Sequence, residues 1–201
     1  MTVIEEKDIP ISKILNTDAL PMVTSGSMSK TLERYKKLYM QQPVPENKVL
    51  QRHLLDYILP GLAYYQILLE DGLSKEEASE QVESIFRFLT EKRRKFLQSI
   101  GRLPLFYTLL RMRLKSNMQE YPPEGWQTEW VQKDGDAVKF NMHRCFYMDT
   151  LSKYGAAELT PIFCNVDDVL YENMSPHVKW KRTQTIGRGA SHCDFCFEHV
   201  K

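Results

Sequence analysis

Between Cys164 and Asp194 the chain gathers two of its four cysteines, an acidic pair and an arginine: Cys164, Asp167-Asp168, Arg182 and Cys193-Asp194. A thiol beside carboxylates can act as a nucleophile with a base at hand, and a guanidinium can hold a carboxylate through two parallel hydrogen bonds. If Cys164 opens a helix over residues 164–174, then Asp167, Asp168 and Tyr171 follow it at spacings of three, four and seven, and all four side chains share one face. In the alternative, Cys164 packs as a small hydrophobe and the two acids complement the positive end of the helix.

A hairpin must bring the arginine and the second cysteine to that helix. Over residues 178–186, alternation puts Val178, Trp180, Arg182, Gln184 and Ile186 on one face and Lys179, Lys181, Thr183 and Thr185 on the other. In the returning strand Cys193, Phe195 and Phe197 share a face opposite His192, Asp194, Cys196 and Glu198. Both apolar faces reach one core only if Gln184 stands against Cys193 and Arg182 against Phe195, because a slip of one residue would expose the aromatic face. An inward guanidinium needs an anion, either Asp167 or Asp168 in an internal ion pair or a ligand carboxylate. Cys193-Asp-Phe-Cys196 has the C-x-x-C spacing, but residues three apart in a strand face opposite ways, so it is neither a redox turn nor half a zinc knuckle. Cys145, Cys164 and Cys193 with a histidine could converge on zinc from separate elements, the site of a zinc-dependent hydrolase, but no paired short cysteine spacing supports it, and neither metal nor cofactor is expected.

The run Cys164-x-x-Asp167, then aromatic-x-Arg182-Thr183-x-Thr185, a glycine at 187 or 189, and Cys193-Asp194-Phe195 resembles the L-2-amino-thiazoline-4-carboxylic acid hydrolase family. Cys145 also falls where that family places a cysteine, and the likeness covers about residues 126–199. A weaker likeness, of fold alone, links the terminal strand pair to vinyl-reductase and transport-particle small-molecule-binding domains. The family resemblance implies hydrolytic ring opening of a cyclic amidine, L-2-amino-thiazoline-4-carboxylate to N-carbamoyl-L-cysteine. It implies Cys193 as nucleophile with Cys164 as the alternative, and Asp167 as base or holder of the amidine nitrogen. Arg182 is then the clamp on the substrate carboxylate, with Cys145, His143 and Thr183 as further substrate-binding candidates. Asp194 matches the motif but alternates away from Cys193, which suits a hairpin-closing role. The competing function is a binding module that hydrolyses nothing, in which the same thiols line a pocket.

The elements around this site follow from pattern. The 201 residues, 42% hydrophobic and 26% charged, suit one α+β domain over residues 29–201, preceded by an irregular arm over residues 1–28. That arm could pack on a neighbouring copy, which leaves a homo-oligomer open. Helices are expected at about 29–40 and 47–70, the latter interrupted at Pro60-Gly61. Ser74 and Glu77 form a capping box that opens a helix to about residue 99, and another covers about 103–115. The basic run Lys92-Arg93-Arg94-Lys95 reads as a solvated last turn. Pro122-Pro123-Glu124-Gly125 marks the change from the helical part, 29–121, to the sheet part, 122–201.

There, strands 126–132 and 137–145 form a hairpin around Lys133-Asp134-Gly135-Asp136, with His143 and Cys145 on one polar face. Short helices near 150–153 and 156–162 precede the helix at Cys164, so the second half reads β-β-α-α-β-β, a four-stranded antiparallel sheet with helices on one face. A formal charge of +1 gives no electrostatic case for nucleic acid or an anionic membrane. The apolar run over 58–69 is too short to span a bilayer. Four cysteines without an N-terminal leader point to reduced thiols in a cytoplasmic protein. The expected partner is a small-molecule carboxylate.

Overall fold

A computed structural model of the chain describes Leu15 and residues 25–200. Most of the expected arm lies outside the described residues, and its last four positions already belong to α1, Ser25–Met40. Asn47 caps α2, Lys48–His53, by accepting the backbone N–H groups of Val49 and Leu50. A π-helical turn, Leu54–Ile58, then leads into α3, Leu59–Glu70. The interruption expected at Pro60 therefore takes the form of a widened turn just before it. Proline has no N–H to donate and its ring crowds the carbonyl four residues back, so the helix changes its hydrogen-bond step there.

The capping box forms as the sequence indicates: Ser74 N donates to Glu77 at 2.9 Å and Glu77 N to the Ser74 hydroxyl at 3.2 Å. It starts α4, Lys75–Ile100, and α5 follows as Phe106–Glu120. Two compact units divide within α4, one ending at Ile85 and the other spanning Phe86–Lys201. In the first unit Tyr35, Ile58, Leu59, Leu62, Ala63 and Val82 are buried.

The second unit holds a four-stranded antiparallel sheet of β1 Thr128–Gln132, β2 Ala137–Met142, β3 Val178–Lys181 and β4 Cys193–His199, in the order β1-β2-β4-β3. The chain thus has the α+β architecture that its patterning predicts, helices first and the sheet after. Cross-strand pairs Val138 with Phe197, Phe140 with Phe195 and Met142 with Cys193 place one buried row across β2 and β4. On β3, Trp180 faces Phe197 and Lys181 faces Cys196, the register in which Arg182 would next meet Phe195. The strand stops there instead of running to 186: the Asp194 carboxylate gathers the successive N–H groups of Thr183 and Gln184, only one of which an edge strand could have turned toward β4. Strand β2 likewise ends at Met142 and not at 145, with Cys145 at the N-terminal boundary of α6, Phe146–Lys153. His143 and Cys145 consequently do not share a strand face.

A 3-10 turn, Ala157–Leu159, leads into α7, Thr160–Tyr171. The expected helix over 164–174 and the shorter one before it are one element, since Pro161 sits in the first turn, where its missing N–H costs nothing. At the far end Ser175 donates to the Gly101 carbonyl at 2.6 Å, and a Cβ at Gly101 would lie 2.0 Å from the Met174 carbonyl oxygen. This tie fixes the lead into β3. No helix among the described residues is long and apolar enough to cross a membrane.

Candidate functional site

Alternation delivers Arg182 to the buried side of the sheet, and only 2% of its side chain is exposed. A guanidinium loses several kcal/mol of hydration on burial unless charge and hydrogen bonds replace it. Here Nη2 donates to Asp168 Oδ2 and to the Cys164 carbonyl, both at 2.6 Å, and Nη1 to Asp167 Oδ2 at 3.3 Å. The cation also lies 5.6 Å from the centroid of the Trp180 ring and 5.5 Å from that of Phe195. Burial would lower the arginine pKa, but the two carboxylates outweigh it and hold it above the ordinary value. Arg182 Nε is buried and has no hydrogen-bond partner among the described residues.

The two acids supplied by α7 are used differently. Asp168 is engaged at both oxygens, since Trp180 Nε1 donates to Oδ1 at 3.2 Å. Asp167 has the single, longer contact to Arg182, and 38% of its side chain is exposed. Desolvation pushes its carboxyl up to about 6, with Arg182 and Arg93 pulling the other way and Asp168 adding to the rise. Water reaching that exposed part of the side chain tempers the rise without reversing it.

Cys164, one turn before Asp167 on α7, and Cys193, the first residue of β4, are both buried. Each feels the charge of Asp167 and of Arg182. Burial pushes the Cys193 thiol up to about 11, against the Ile186 N–H that points at its sulfur from 3.2 Å. Cys164 is likewise raised by burial, opposed by the charge of Arg182. Both are thiols at neutral pH and need a proton acceptor before they can attack.

A turn after β3, Ile186–Arg188, closes over Cys164. A Cβ at Gly187 would stand 2.9 Å from Cys164 Sγ, 3.0 Å from Thr160 Cγ2 and 3.2 Å from Pro161 N, so only glycine lets this turn approach the first turn of α7. The exposed Arg188 reaches back along the helix and donates from Nη2 to Asn165 Oδ1 at 2.5 Å.

The remaining candidates lie in other settings. Cys145 sits at the start of α6, where burial pushes its thiol up to about 12 against the N–H groups of Met148 and Tyr147. Cys164 and Cys193 lie near enough that ionising either would raise it further. His143 is exposed and bound to Glu129, with Nε2 2.8 Å from Oε2. Thr183 donates its hydroxyl to Asp194 at 2.7 Å, and the Asp194 carboxylate also receives the N–H groups of Thr183 and Gln184 at 2.9 and 2.8 Å. Burial alone would raise the Asp194 pKa, yet these bonds hold it below its usual range. Asp194 closes the hairpin. Cys196 faces the opposite way from Cys193, paired across the strands with Lys139 and Lys181. Among the described residues no three His, Cys, Asp or Glu side chains are grouped to hold a metal ion.

Helix α7, the β3–β4 hairpin and its turn thus bring together Cys164, Asp167, Asp168, Arg182 and Cys193, and leave His143 and Thr183 engaged elsewhere. Sequence pattern missed Arg188 and Asn165, which lie outside any strand alternation, and Arg93, whose charge reaches Asp167. No curated protein and no solved structure matches the chain. A family model does, over residues 51–197, and on that match, which contains the whole cluster, the chain belongs to the L-2-amino-thiazoline-4-carboxylic acid hydrolase family.

Proposed function

We propose that the protein is a hydrolase that opens a small cyclic amidine bearing a carboxylate, with L-2-amino-thiazoline-4-carboxylate as the first substrate to test. The observation that carries this reading is Asp167, a partly exposed carboxyl raised to about 6 between two buried thiols and an arginine. A carboxyl poised near neutrality and reachable from solvent suits proton transfer in either direction.

In the reaction, oxygen adds to C2 of the ring, the C2–S bond breaks, C2 becomes the carbonyl of a ureido group, and the sulfur leaves as a thiol after taking a proton. Asp167 takes the proton of the attacking group and can return it to the departing sulfur. The attacking group is the Cys193 thiol, or Cys164 in its place: its sulfur bonds to C2 as the ring C2–S bond breaks and the substrate sulfur takes the proton. Water then adds to the same carbon of the S-linked isothiourea, breaking its bond to the cysteine, which leaves as a thiol while C2 becomes the ureido carbonyl. Arg182 holds the α7 carboxylates in place through Nη1 and Nη2. The family membership and the Asp167 environment support this assignment.

A second reading has its own observation. Arg182 is paired internally and both thiols are protonated, as suits a module that binds a small molecule without hydrolysing it. The test is to incubate the purified, metal-analysed protein with L-2-amino-thiazoline-4-carboxylate and follow new thiol, with Cys193→Ala and Cys164→Ala alongside. Thiol release lost in one cysteine variant supports the hydrolase and names its nucleophile. No release from the wild type, while the ligand still protects Cys193 from alkylation, supports the binding module.

A further inference from the structure

A substrate carboxylate needs a cation, and Arg182 has already spent both terminal nitrogens on Asp167, Asp168 and the Cys164 carbonyl. Arg188 is placed to replace it. It follows Gly187, whose backbone lies against Cys164 Sγ as closely as a missing side chain allows, so its Cα is one residue from the thiol. Its guanidinium is turned toward α7 by Asn165, the residue after Cys164, through a bond from Nη2, its single hydrogen bond among the described residues. The side chain is exposed, and its charge is felt at Cys164.

One amide oxygen leaves most of the five guanidinium donors unused, and an amide, unlike a carboxylate, leaves the positive charge uncompensated. Arg182 shows the contrast in the same site: it is buried and neutralised, whereas Arg188 is aimed and still charged.

We propose that Arg188, oriented by Asn165, receives the substrate carboxylate and so selects carboxylated rings over neutral ones. The proposal takes its ligand from the hydrolase reading above. Arg188 fixes the acid end of the ring while Asp167 and the thiols face C2. Asn165 is a positioning residue, since it acts on Arg188 and not on the ligand. Arg93 on α4 is the competing cation, because its charge is felt at Asp167.

The experiment measures binding and turnover of L-2-amino-thiazoline-4-carboxylate and of 2-amino-2-thiazoline, which lacks the carboxylate, by calorimetry and thiol release. Variants are Arg188→Gln, Arg188→Lys and Arg93→Gln. A charged hydrogen-bonded pair accounts for about a ten- to hundredfold change in affinity. Arg188→Gln is expected to weaken binding of the carboxylate ligand, and to raise its KM, by that factor. Its kcat should stay within about threefold and the neutral ring should be unaffected. Arg188→Lys keeps the charge but not the fork, and falls between.

The proposal is overturned if Arg188→Gln binds the carboxylate ligand like the wild type, if both ligands weaken equally, if the loss follows Arg93→Gln alone, or if the wild type binds neither ligand. Binding that depends on Arg188 without thiol release would sustain this inference while ending the hydrolase reading. Thiol release indifferent to Arg188 would do the reverse.

Discussion

Asp167 and Asp168 are adjacent carboxylates beside one guanidinium, yet only one is free to do chemistry. Asp168 has both oxygens committed, to Arg182 and to Trp180. Asp167 retains exposed surface and a pKa lifted from 3.8 to about 6 by desolvation. If it acts as the base, its active form accumulates as pH rises, so kcat/KM should climb through about pH 6 and level off above. Asp167→Asn should remove that limb and lower kcat by about 10²- to 10⁴-fold. An acid limb unchanged in the asparagine variant would take Asp167 out of the mechanism. The stability effect has the opposite sign. The folded state holds this proton more tightly than the unfolded chain, so the contribution of this carboxyl to stability is lost as pH rises from about 4 to about 6.

At this scale the sequence was informative where a period governs. Alternation from Trp180 predicts an inward Arg182, but not whether its anion is Asp168 or a ligand, since that choice depends on how far α7 stands from β3. Arg188 and Asn165 had no such signal, one lying in a turn after the strand and the other beside the Cys164 stripe.

Elements meet here through a close backbone approach that only Gly187 permits. Alanine at an unstrained glycine usually adds about 0.4–1 kcal/mol by restricting the unfolded chain. At 187 the new methyl would meet the Cys164 sulfur, the Thr160 methyl and the Pro161 nitrogen at 2.9–3.2 Å. Two of these neighbours are packed side-chain atoms and the third is backbone, so the clash prevails. Gly187→Ala should destabilise by about 1–3 kcal/mol, read as a lowered denaturant midpoint, and should speed alkylation of Cys164 as the turn lifts away. Gly26→Ala, with nothing within 4 Å of the added carbon, is the control and should be neutral or stabilising. An unaltered midpoint and unaltered Cys164 reactivity in Gly187→Ala would mean that the turn is not seated as described.

Two of the boundaries that pattern misjudged share a cause. A side chain or a proline redirected the backbone without altering the hydrophobic period: Asp194 ended β3, and Thr160-Pro161 began α7 four residues before Cys164.

For the molecule as a whole, the change at Pro122-Pro123 from a 3.6-residue to a two-residue period was enough to separate the helical part from the sheet part, because every sheet strand but short β3 alternates for five residues or more. The family match begins at residue 51, within α2, so α1 lies outside it. The helical unit nevertheless depends on α1. Helix α3 buries Leu59, Leu62, Ala63, Tyr65, Ile67 and Leu68, on all sides of its axis, and so has no face suited to water. Helix α1 lies along it, burying Tyr35 and Leu38, with Arg34 donating to Gln66 and Glu70 and Lys30 to Asp71. Each of those two buried side chains accounts for about 1.5–3 kcal/mol, and the facing side of α3 would be exposed as well. A chain begun at Asn47 should therefore bind a hydrophobic dye and lose cooperative unfolding, or aggregate, although it contains the whole family-matched span and the whole cluster around Arg182. Size-exclusion chromatography and a thermal melt of residues 47–201 beside the full chain decide it. A monodisperse product melting with the full chain would show that α1 is dispensable to the core.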